Sequence, residues 1–149
     1  MPGAPERLDA VLRSTYARLA ALDESAASGR PQGMTWSRKE ILGHLIDSAS
    51  NNHQRFVRAQ ISPPLSFPGY EQEAWVRTQD YAGRPWNELV LLWHGYNRHL
   101  VHVMSRIPQS AFGNECVCPG RSDEPATLGD HMTDYVDHLE HHLGQILAA

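Results

Sequence analysis

Asp134-Tyr135-Val136-Asp137-His138-Leu139-Glu140-His141-His142-Leu143-Gly144-Gln145-Ile146 is the stretch around which the chain is organised, and it holds three of the nine histidines. Read as a helix, it stacks residues four apart on one face. His138 and His142 then point the same way, with Tyr135 and Ile146 beside them. Two imidazoles one turn apart can close on a single divalent cation, and imidazole suits zinc, nickel and copper. A third ligand from another helix would leave one position open, as in catalytic rather than structural zinc sites. An i, i+4 histidine pair also occurs on solvated helix faces, so the pair alone is half an argument. The same helix carries an apolar stripe at Leu128, Met132, Val136, Leu139, Leu143 and Leu147. It opens at Glu124-Pro125-Ala126-Thr127 and reaches the C-terminus.

Three more amphipathic helices precede it. From Ala4 to about Ala27 the apolar residues fall at Leu8, Val11, Leu12, Leu19, Leu22 and Ala26, a three-four spacing. Gly29-Arg30-Pro31-Gln32-Gly33 ends that helix. Ser37-Arg38-Lys39-Glu40 reads as a capping box before an apolar run. The second helix therefore runs from about Ser37 to Gln60, with Ile41, Leu42, Leu45, Ala49 and Phe56 facing the core. His44, Ser48, Asn51 and Arg55 form the neighbouring stripe. Arg84-Pro85 opens the third helix, with proline in the first turn, and Pro108 follows its end near Ile107. Its expected buried stripe is Leu89, Leu92, Trp93, Tyr96, Leu100, Val103 and Ile107. Residues 61–83 are the longest non-helical segment, and their Phe67, Tyr70 and Trp75 argue that the segment packs down. A connection of that length is functional or carries a short element of its own. Four such helices read as an all-α four-helix bundle, one domain over residues 1–149.

Composition narrows the function. A net charge of −4 gives no basic footprint for nucleic acid. No apolar run approaches the roughly 18 residues of a membrane span. The first residues lack the basic-then-apolar layout of a secretory signal, so a cytoplasmic location is expected. Cys116 and Cys118 make a lone C-x-C, a poor disulfide framework and a weak zinc signature.

Helix phase sorts the histidines. At about 100° per residue, His131, His138 and His142 lie within roughly 40° of one another at a bundle seam. His141 is about 80° further round and faces solvent. His44 borders the core face of the second helix, and His99 the edge of the third; His94 points away, and His53 and His102 are surface positions. A seam histidine is commonly a packing residue. His44 on an adjacent helix is what turns the His138/His142 pair into a candidate three-ligand site. No Glu follows the first histidine as in H-E-x-x-H, so a zincin-type protease is not indicated. Metal-bound histidines need a partner on the second ring nitrogen, for which Asp47, Asp134 and Gln145, about a turn from a ligand, and Asn51, two turns from His44, are candidates. Arg55, further along the His44 stripe, is placed to bind an anionic substrate group or to form an ordinary ion pair.

The order Thr35-Trp36-Ser37-x-x-Glu40-Ile41-Leu42-Gly43-His44-Leu45-Ile46-Asp47, then Arg55, then Tyr70-x-Gln72-x-x-Trp75-Val76, then Asp137-His138-x-x-His141-His142-x-x-Gln145-Ile146 resembles the DinB-like superfamily, which includes the YfiT-like proteins. The resemblance implies an up-down-down-up four-helix bundle with a long crossover between the second and third helices, a role residues 61–83 fit. It implies a divalent metal ion, nickel or zinc, on His44, His138 and His142. It also implies a small-molecule substrate, thiols such as bacillithiol or mycothiol among them, and a homodimer. On this reading the chain is a metal-dependent thiol-S-transferase, with a metal-dependent hydrolase or a non-catalytic metal-binding bundle as alternatives. Asp47, Asn51, Arg55, Asp134 and Tyr135 are the candidates for supporting the ligands or meeting substrate.

Overall fold

The computed structural model describes residues 3–148. Four long helices build it: α1 (Ala4–Ala20), α3 (Arg38–Ile61), α5 (Trp86–Ser105) and α6 (Leu128–Leu147), with a short α2 (Glu24–Ser28) and α4 (Gln72–Gln79) between them. The first predicted helix is thus two. The chain turns after Ala20, and Asp23 starts α2 by accepting a hydrogen bond from the Ala26 N–H. The Ser37–Glu40 capping box forms in both directions, and α3 follows it closely. α6 begins at Leu128 with Thr127 as its cap, slightly later than the Glu124 opening expected from proline placement.

The 61–83 crossover is not wholly irregular. It carries a two-residue strand, β1 (Leu65–Ser66), then α4 and a 3₁₀ turn at Tyr81–Gly83. β1 pairs in parallel with β2 (Cys116–Val117) from the loop after α5. Little in the sequence announces α4, because Val76 is its one buried residue.

Contacts between helix ends give the directions. Both strands leave the C-terminal ends of α3 and α5, so those ends lie together, and Asn114 Nδ2 bonds the Ala59 carbonyl there. At the other end Glu24 joins the two helix starts: Lys39 Nζ lies 2.6 Å from one carboxylate oxygen, and the Trp86 N–H donates to the other. α3 and α5 therefore run the same way. Trp86 Nε1 donates to the Leu19 carbonyl at the end of α1, and Arg38 Nε donates to the Ile146 carbonyl at the end of α6. α1 and α6 therefore run opposite to α3 and α5. This is the up-down-down-up order. α1 packs on α5 and α6, and α3 packs on α5 and α6.

The core holds Leu8, Leu12 and Leu19 of α1, Ile41, Leu42, Leu45 and Phe56 of α3, Trp93 and Leu100 of α5, and Leu128, Val136 and Leu139 of α6. Of its expected stripe α5 buries Leu89, Trp93 and Leu100, with Ile107 just past its end, but not Leu92, and the buried face is wider than that stripe. Trp86, Val90, Asn97 and Met104 are buried, whereas Leu92 is 42% and Leu91 58% exposed. A helix with apolar residues on most faces leaves its orientation to the neighbours it meets.

Candidate metal centre

α3 and α6 pack antiparallel, so a residue near the start of one meets residues near the end of the other. His44 is thereby set against His138 and His142. One nitrogen from each imidazole lies within 4.8 Å of the others. His44 Nε2 and His138 Nε2 are 3.1 Å apart. The rings meet edge to face, with centroids 5.0 Å apart for His44–His138 and His44–His142 and 4.5 Å for His138–His142. Two nitrogens on one zinc or nickel ion at about 2.0–2.1 Å sit roughly 3.0–3.4 Å apart, so the Nε2–Nε2 separation is that of a shared ligand shell.

The electrostatics agree. His44 is 1% exposed. Burial, then the adjoining His138 and His142, push its pKa down to about 3. Burial, then His142 and His141, take His138 down to about 4. Burial likewise lowers His142, against the opposing hydrogen bond to Gln145. Three imidazoles held neutral near pH 7 present lone pairs to one another, and a divalent cation is what such a set accommodates. His142 Nδ1–H donates to Gln145 Oε1 at 2.7 Å, which leaves Nε2 as the free lone pair. The Gln145 amide also reaches His141 Nε2 at 3.4 Å. His141 is exposed and outside the cluster. The Trp36 ring covers His44, with centroids 5.1 Å apart. Trp36 lay within the recognised motif but carried no signal of this role.

The remaining candidates scatter. Asp47, one turn after His44, is 2% exposed and holds Tyr81 and Gln79 instead of an imidazole: Tyr81 Oη donates to Oδ1 at 2.7 Å and Gln79 Nε2 at 2.8 Å. Burial raises its carboxyl pKa. The Tyr81 ring lies so close to α3 that a side chain at Gly43 would collide with it at 2.2 Å. Asn51 bonds its own helix, Nδ2 to the Asp47 carbonyl. Asp134 is exposed and makes no hydrogen bond to His138, which corrects its expected role as a ring partner. Tyr135 Oη donates to Asn97 Oδ1 in the core, so it braces the helix rather than a ligand. Asn97, fully buried, had gone unnoticed in the sequence. His131 leaves the seam group, since its Nε2 bonds the Cys116 carbonyl at 2.8 Å. His99 and His102 are exposed. His53 is half-buried against Tyr96, and His94 stacks on Tyr16 rather than pointing away. Cys116 and Cys118 are free and buried.

A cavity of about 90 Å³ opens beside His138, lined also by Ser48, Arg55, Tyr70, Asp134 and Tyr135. A larger one of about 730 Å³, lined by Asn51, Phe67, Tyr70 and Trp75 among others, shares Tyr70 with it. The aromatic segment 67–75 thus walls both.

The family model described as the DinB superfamily matches residues 7–146 of this chain. A relative in Oceanobacillus iheyensis, provisionally named a metal-dependent hydrolase, is 23% identical over 127 residues, 85% of this chain and 71% of its own. The solved structure of YfiT from Bacillus subtilis, described as a probable metal-dependent hydrolase with an unusual four-helix bundle topology, superposes with a TM-score of 0.81 at 20% identity. That match covers 95% of this chain and 83% of YfiT. The mycothiol-dependent maleylpyruvate isomerase superposes with a TM-score of 0.77 at 15% identity, over 100% of this chain and 62% of the isomerase. These two structures share the fold of this chain. Among the described residues, no helix is long and apolar enough to cross a membrane.

Proposed function

This chain belongs to the DinB superfamily, and from that premise we propose that it is a divalent-metal-dependent enzyme whose cation is held by His44, His138 and His142. The observation that carries this reading is the convergence of three imidazole nitrogens within 4.8 Å, one of them, His138, on the wall of a cavity. Imidazole ligands favour zinc or nickel. When bound, a cation on three neutral ligands supplies Lewis-acid chemistry and lowers the pKa of a thiol or water in its open position.

The chain's own groups prepare that position. Gln145 fixes the His142 tautomer through Nδ1. Trp36 and the buried face of α3 shield His44 from water. The cavity beside His138 admits a small molecule. Transfer of a small thiol to an electrophile is the first reaction we assign. A thiol starts from a pKa near 8.5 and needs no general base once that value is lowered. Hydrolysis is the second reading, favoured by the likeness to two proteins described as metal-dependent hydrolases.

Elemental analysis of untagged protein, purified without chelator, tests the centre. About one metal ion per chain is expected in the wild type, lost in both His44→Ala and His138→Ala. A metal-free wild type overturns the reading. A panel of thiols and electrophiles, run beside ester and amide substrates, then separates transfer from hydrolysis.

A further inference from the structure

Arg55 is a buried cation that, among the described residues, no carboxylate contacts. It is 7% exposed, yet among the described residues its hydrogen bonding is a single contact, Nη1 to Asn52 Oδ1 at 3.3 Å. A guanidinium has five N–H donors, so most of its capacity is unused. Its carbon lies 5.5 Å from the Phe67 ring centre, which positions the group without neutralising it. Arg58 lies 5.4 Å from the same ring but is exposed. Burying an unpaired charge is costly. The carboxylates nearby do not resolve the cost. Glu124 is 3.6 Å from Arg121, and Asp134 forms no ion pair with Arg55, although both acids line the same cavity.

That cavity is the one beside His138. Its volume of about 90 Å³ is roughly that of three waters, enough for a planar carboxylate and two or three carbons. A long side chain on a helix leans toward the N-terminus, so Arg55 reaches back along α3 in the direction of His44. The planar fork of a guanidinium matches the two oxygens of a carboxylate.

We propose that Arg55 recognises a carboxylate on the substrate, seating a short acid in this cavity with its other end toward the imidazole cluster. The proposal rests on the metal-enzyme reading for what that other end meets; the recognition of the carboxylate does not depend on it. The acid supplies the missing counter-charge, and the ligand's uncharged part spans toward His138.

The test compares 3-mercaptopropionate with its uncharged isostere 3-mercaptopropionamide. Both are titrated calorimetrically into nickel-loaded and metal-free protein, in the wild type, R55Q and R55K. The wild type is expected to bind the acid at least about tenfold more tightly than the amide, as for one charge-assisted pair. R55Q is expected to lose that preference and to bind the amide as the wild type does; R55K keeps part of it. Equal binding of acid and amide by the wild type overturns the proposal, as does a preference that persists in R55Q. Should R55Q lose its helical circular dichroism, R55K is read alone, and a preference undiminished there overturns the proposal. If no metal binds but the metal-free chain shows an Arg55-dependent acid preference, the carboxylate site stands and the metal reading falls. If neither form binds the acid at tens of millimolar, the site falls.

Discussion

Acidifying the metal-free protein should destabilise it well before ordinary carboxylates titrate. His44 and His138 are held neutral in the folded chain, with pKa values down to about 3 and about 4 against an ordinary 6.5. Unfolding frees both rings to take up a proton, so below pH 6.5 the unfolded chain binds more protons than the folded one. Stability is therefore fully present above that pH and is lost progressively as pH falls toward the folded values. At pH 5 each ring would cost about 2 kcal/mol relative to pH 8, about 4 kcal/mol for the pair. That is a large share of the 5–15 kcal/mol typical of a folded domain. Urea unfolding of chelator-treated protein, followed by circular dichroism at pH 8, 7, 6 and 5, measures it. The curve of midpoint against pH should flatten in His44→Asn/His138→Asn. A double variant with the same pH slope as the wild type refutes the assignment of the loss to these rings. Saturating zinc should shift the loss to lower pH, since metal and proton compete for the same lone pairs.

Two further perturbations probe how the site is supported. Gln145→Ala removes the acceptor for His142 Nδ1–H and should weaken metal binding about 10- to 100-fold, read by competition with a chromophoric chelator; His141→Ala, at an exposed ring, should leave the affinity unchanged. Gly43→Ala puts a methyl group where the Tyr81 ring lies, 2.2 Å from its nearest carbon. It should destabilise the fold by about 1–3 kcal/mol in urea, despite alanine's better helix propensity, and an unchanged midpoint would show that Tyr81 shifts freely.

Much of the site was legible because it is local. His138 and His142 are one turn apart on a single helix, so α-helical geometry alone aligns them. Gln145 is three residues further on, within reach of His142 for the same reason. The capping box at Ser37 and Glu40 and the apolar stripes of α1, α3 and α6 are likewise short-range patterns; they placed α3, α6 and the start of α1 to within a few residues, but not the turn after Ala20. The stripe expected for α5 holds at Leu89, Trp93, Leu100 and Ile107 and fails at Leu92, which is as apolar as the buried Val90 and Met104, and sequence periodicity cannot choose among them.

What only the tertiary structure decided is everything that depends on one element meeting another. His131 shares the phase of His138 and His142, yet the strand at Cys116 takes up its ring nitrogen. Asp47 lies one turn from His44, yet the Tyr81 and Gln79 of the crossover claim its carboxylate. Arg55 reads in sequence as ready for an anionic substrate group or an ordinary ion pair, and it is burial beneath the 67–70 segment, with Glu124 and Asp134 in the same cavity but neither in contact with it, that leaves its fork to a ligand. Helical periodicity acts over one turn and so is written in the order of residues. Charge pairing and desolvation act across gaps of a few ångströms between segments far apart in the chain, and packing sets those gaps.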